Sequence, residues 1–199
     1  MAAILQSLGR TVIAGIVVLI VIIILAGVGT GRMVTPDMAW STFFMRWLHV
    51  LSGVMWIGLL WYFNFVQMPS MPKIPDEQKP AVSKVIAPEA LFWFRWAALA
   101  TVVTGLLLAW MNPGNYILLA LSVQKPFHAI GIGMWLALVM AFNVWFIIWP
   151  NQQKALGMVQ VSPEEKAAAA RKAMLTSRFN TMLSIPMLFC MVAQQNGGL

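Results

Sequence analysis

Acid is scarce in this chain. Six Asp and Glu accompany thirteen Lys and Arg among 199 residues. None of the six lies in the middle of an apolar run, which argues against a carboxylate-based proton pump. Charged residues make up 10% of the chain, against about 25% in a soluble domain. Cysteine is also nearly absent. Cys190 alone excludes an internal disulfide and a CxxCH attachment site for covalent heme. It lies in an apolar run, where a lone thiol serves as a small packing residue. The net charge of +7 is not spread as a basic stripe on a soluble face, so nucleic-acid binding is excluded. The cations fall between the apolar runs, where they set membrane orientation.

Apolar sequence is abundant, at 60% of residues. Several runs reach the roughly 20 residues needed to cross a bilayer. The expected fold is all-α: one integral membrane domain over residues 1–199, a bundle of five transmembrane helices. The spans fall at about 11–31, 47–66, 91–111, 126–149 and 179–194. The first run is too long for the h-region of a signal peptide. Met68–Ala90 is a polar connection whose five prolines argue against a single long helix. The methionines in it are too few and too loosely spaced to specify copper. Ser162-Pro163-Glu164-Glu165 is a capping box with proline at the first helical position. It opens a loop helix at about 163–176 that leads into the last span. Arg10, the 68–90 loop and the 151–178 loop share one side and hold most of the Lys and Arg. The positive-inside rule puts that side, with the N-terminus, in the cytoplasm and the C-terminus outside, in the periplasm.

Spans two and four carry the only two histidines, 79 residues apart. Aligned on His49 and His128, Met55/Met134, Trp56/Trp135, Leu59/Leu138, Phe63/Phe142 and Asn64/Asn143 also coincide. A cation, Arg46 or Lys125, precedes each histidine by three residues. Steps of seven return to nearly the same helix face, so His49, Trp56 and Phe63 form one stripe and His128, Trp135 and Phe142 another. Helices two and four thus read as an internal repeat, a pseudo-twofold pair whose stripes face each other with the histidines at equal depth near the outer face.

An ionisable residue within a span is costly and points to function. Two facing imidazoles suit bis-His ligation of heme b, with both histidines as axial ligands to the iron. Ser52, Gly53 and Gly131 leave packing room for a flat macrocycle, and Arg46 and Lys125 are placed to pair with its propionates. A second reading stays open, in which each histidine only hydrogen-bonds a neighbouring helix. Zinc or copper on two histidines lacks the remaining ligands a structural site needs.

RWLHVLSGVMWIGLLWYFNFVQMP, FWFRWAALATVVTG, NVWFIIWPNQQK and SRFNTMLSIPMLFCMV together resemble the N-terminal membrane domain of the bacterial urate hydroxylase (membrane urate oxidase) family. The resemblance implies a multi-span protein of the bacterial inner membrane linked to urate oxidation, with electrons leaving through a C-terminal cytochrome c domain. Against that layout the 199 residues read as a shortened form lacking the cytochrome c domain, and no purine pocket or catalytic residue stands out. Two functions follow as expectations. One is a redox subunit that carries heme b and works with a cytochrome c. The other is a non-catalytic accessory subunit packed among other membrane proteins of a respiratory or photosynthetic complex. The lipid bilayer is a partner in both.

Overall fold

A computed structural model of the chain describes residues 2–198. Among them every regular element is helical. Two compact units are present, residues 1–43 and 44–199.

The first unit holds a short helical turn, Ala2–Leu5, and α1, Leu8–Thr30. Gly27 is the one buried residue of α1, and its Ile and Val side chains point outward on every face. Such a helix is stable in lipid and not in water. It ends at Gly31, whose φ of 66° suits the left-handed C-cap.

The second unit is built from α2 (Met38–Trp61, belonging to this unit from Phe44), α3 (Ala87–Met111), α4 (Tyr116–Leu121), α5 (His128–Phe142) and α6 (Pro163–Asn196). Three π-helical turns interrupt the α-geometry: Tyr62–Gln67 after α2, Val82–Ile86 before α3, and Asn143–Ile148 after α5. Each stops two residues short of a proline: Pro69, Pro88 and Pro150. Proline has no N–H to give and its ring collides with the carbonyl four residues back. Widening the preceding turn relieves that collision and lets the helix continue. The proline-rich connection is therefore helical over most of its length, and the third apolar helix starts at Lys79, not near residue 91.

Among the described residues four helices are long and apolar enough to cross a membrane: Leu8–Thr30, Met38–Lys73, Lys79–Met111 and His128–Ala155. The fifth expected span lies within α6, which is not one of these four. Its polar residues explain the lower hydropathy. Ser177, Asn180 and Ser184 point inward and are buried, while Phe179, Met182, Ile185 and Phe189 are exposed. Ser162 Oγ caps α6 by accepting from the Glu165 N–H at 3.2 Å. The helix then runs unbroken to Asn196, so the loop helix and the last expected span are one element.

The core brings together Trp56 and Leu60 of α2, Phe94 and Ala98 of α3, Met140 and Val144 of α5 and its continuation, and Met187 of α6. A smaller cluster of Ala109, Ala120 and Met134 joins α3, α4 and α5.

Candidate functional site

His49 reaches sideways into α3. Its Nδ1 lies 2.9 Å from the Thr101 carbonyl and 3.3 Å from Thr104 Oγ1. A carbonyl only accepts, so Nδ1 carries the proton and Nε2 keeps its lone pair. The ring rests on Gly105, where an added Cβ would stand 2.8 Å from His49 Cε1. An imidazole fixed through Nδ1–H to a backbone carbonyl, with Nε2 free, is the tautomer and support that metal-ligating histidines use. On chemistry, His49 fits an axial nitrogen ligand.

His128 is the first residue of α5, and its Nδ1 is buried with no hydrogen-bond partner among the described residues. Gln194, near the end of α6, holds this turn from both sides. Its Oε1 accepts from the Ile130 N–H at 3.2 Å, and its Nε2 donates to the Pro126 carbonyl at 3.0 Å. Arg46 Nε is also buried without a partner among the described residues. Arg46 lies near Tyr116, whose phenol is pushed up by burial and pulled back by the Arg46 charge. The Tyr116 ring packs at 4.5 Å against Phe127 at a tilt of 57°, beside His128. Lys125 is exposed.

The two glycines singled out in sequence have different neighbours. A Cβ on Gly53 would make ordinary contact, 3.9 Å, with Thr101 Cγ2. A Cβ on Gly131 would collide with the Ala120 carbonyl oxygen. The room at Gly131 is thus filled by the backbone of α4.

The expectation of facing stripes does not hold. Trp56 and Phe63 are 0% and 8% exposed, whereas Trp135 and Phe142 are 50% and 56% exposed. Trp135 Nε1 donates to the Leu121 carbonyl of α4 at 2.8 Å. On α5 the small residues Ala129, Gly131, Gly133, Ala137 and Ala141 turn inward instead. They let α4 and α6 approach closely, as in other membrane helix pairs, and this rotates the aromatic stripe outward. The histidines also differ in setting. His49 lies beside Thr101–Gly105, roughly 10 Å inside the end of α3 at helical rise, whereas His128 opens its helix.

The paired asparagines behave alike. Asn64 Nδ2 donates to Ser177 Oγ at 2.8 Å, and Asn143 Nδ2 donates to Asn180 Oδ1 at 2.8 Å. Asn180 Nδ2 donates onward to the Met140 carbonyl at 2.9 Å, and Trp61 Nε1 donates to Ser184 Oγ at 3.0 Å. Positions 177, 180 and 184 share one face of α6, so these bonds form a polar seam along the inside of the bundle. Sequence reading missed the seam. Its signal was the i, i+3, i+7 spacing of small polar residues inside an otherwise apolar run.

Residues 115–197 match the family model described as urate oxidase N-terminal. No curated protein and no solved structure matches the chain. The stretch matching the urate oxidase N-terminal family is less than half of the chain and covers α4, α5 and α6. It contains His128, Asn143, Asn180 and Gln194; His49, Arg46 and Asn64 precede it. Among the described residues no group of three or more His, Cys, Asp or Glu is arranged to hold a metal ion. A heme iron draws only one or two axial ligands from the protein, so a bis-His heme needs no such group.

Proposed function

We propose that this chain is a membrane redox subunit akin to the urate oxidase N-terminal domain, holding heme b between the second and fourth apolar helices. His49 Nε2 and His128 would hold the iron, and Arg46 and Lys125 would pair with the propionates. The observation that carries the reading is the Thr101 carbonyl fixing His49 Nδ1–H and leaving Nε2 as a donor. The buried, unpartnered Nδ1 of His128 and Nε of Arg46 add to it, since such atoms in a folded protein call for a missing partner. Bound there, heme supplies a one-electron couple. The Thr101 carbonyl orients the His49 imidazole. The bacterial inner membrane, a cytoplasmic N-terminus, a periplasmic C-terminus and a cytochrome c as electron acceptor belong to the same proposal. The test is heme content of the purified protein and its variants. His49→Ala and His128→Ala should each lose heme, and full retention in either variant contradicts ligation by that residue.

The second reading is an accessory subunit without chemistry of its own. It is favoured by the exposed aromatic stripe of Trp135, Phe142 and Phe146, which borders an apolar groove between α3 and α5. Native electrophoresis in mild detergent tests it. Migration with a large complex supports this reading, and migration as a lone monomer counts against it.

A further inference from the structure

A cavity of about 50 Å³ lies among the π turn after α2, the start of α3, the turn after α5, and α6. Phe63, Leu91 and Phe94 form its apolar walls, and Gln67, Gln152 and Ser177 bring polar groups to it. Gln67 Oε1 is buried and has no hydrogen-bond partner among the described residues. Three residues earlier, Asn64 Oδ1 is in the same condition. The Asn64 amide is not simply reversed, because its Nδ2 lies 2.8 Å from the Leu60 carbonyl, which accepts only a donor. Asn64 also ties this cluster to Ser177, which lines the cavity.

A buried amide oxygen without a donor is costly to a fold. The occupant must therefore donate hydrogen bonds and be small. No charged side chain lines the cavity, so nothing there compensates a bound ion. A water needs about 10–15 Å³ of such space and two to four polar partners, and the cavity meets both conditions. We propose that it is a hydration site, in which about three to five ordered waters donate to Gln67 Oε1 and bridge it to Gln152 and Ser177. This inference does not depend on heme.

The test is a pair of measurements on the full chain in lipid nanodiscs. Hydroxyl-radical footprinting reads water at this site directly. Phe94, only 1% exposed and on the cavity wall, should be labelled, whereas Trp56, 0% exposed and away from it, should not. Gln67→Leu should suppress the Phe94 label. The second measurement fills the cavity from Ala87, another of its wall residues. Ala87→Val should lower Tm in the otherwise native chain by displacing water from Gln67, and should leave Tm unchanged or raise it in the Gln67→Leu background. An unlabelled Phe94, or an equal rise in Tm in both backgrounds, marks the cavity as dry and overturns the proposal. Should Ala87→Val fail to fold, the footprint alone decides.

Discussion

Asn143 donates to Asn180 across the α5–α6 boundary at 2.8 Å, and the two residues are 7% and 0% exposed. Asn180 Nδ2 in turn donates to the Met140 carbonyl. Neither lipid nor water can replace these partners. Asn180→Leu should therefore destabilise the fold by about 1–3 kcal/mol, the cost of leaving a buried polar group unpaired. Adding Asn143→Leu should return part of that loss, since the orphaned amide is then gone. Thermal unfolding of the two single variants and the double variant measures the coupling. Additive losses contradict a shared bond.

Among the described glycines, Gly131 faces the nearest backbone neighbour, the Ala120 carbonyl. A backbone atom cannot rotate away as a side chain does. Gly131→Ala should cost about 1–3 kcal/mol or more through overpacking and should displace α4. Trp135 is one of ten tryptophans, so the difference in fluorescence between the chain and its Trp135→Phe variant is the local readout, because Trp135 Nε1 donates to the last residue of α4. An unchanged Tm and emission maximum contradict the contact.

Gly105→Ala acts on a side chain instead. Its Cβ meets the His49 ring, which can tilt at the expense of its bond to Thr101. Heme content should fall, or the reduced band should shift, with a smaller loss of Tm than in Gly131→Ala. Full heme with an unshifted band argues that His49 is not a ligand.

The sequence announced the apolar helices, the Ser162 cap and the two histidines, because those features are local. Helix length, capping chemistry and residue scarcity need no neighbour to be recognised. The facing of α5 was not legible. His128, Trp135 and Phe142 do repeat the spacing of the first stripe, but which face turns inward is decided by small residues. Ala129, Gly133 and Ala137 present the close-packing face to α4 and α6, and an aromatic stripe costs nothing when it faces lipid. The seam on α6 was hidden for a related reason. Ser177, Asn180 and Ser184 lower the hydropathy of the last run, and their meaning depends on Asn64, Asn143 and Trp61 from distant parts of the chain.

The start of α6 should respond to acid. The Glu164 carboxyl is held below the ordinary glutamate range by its own backbone N–H and then by the Ser162 hydroxyl. A depressed carboxyl contributes stability that is complete above its unfolded value of about 4.3 and is lost as pH falls through the folded value. Amide protection at Glu165 and Lys166, corrected for intrinsic exchange, should therefore drop on acidification below that range. Glu164→Gln should abolish the pH dependence. Flat protection in the native chain contradicts this account of the cap.

The heme proposal meets its most direct test in the reduced-minus-oxidised optical spectrum of the purified, well-folded chain. The proposal predicts a b-type band that disappears in His49→Ala and in His128→Ala while helicity is retained. A folded protein purified from heme-replete cells with no such band, or a band untouched by both substitutions, contradicts it.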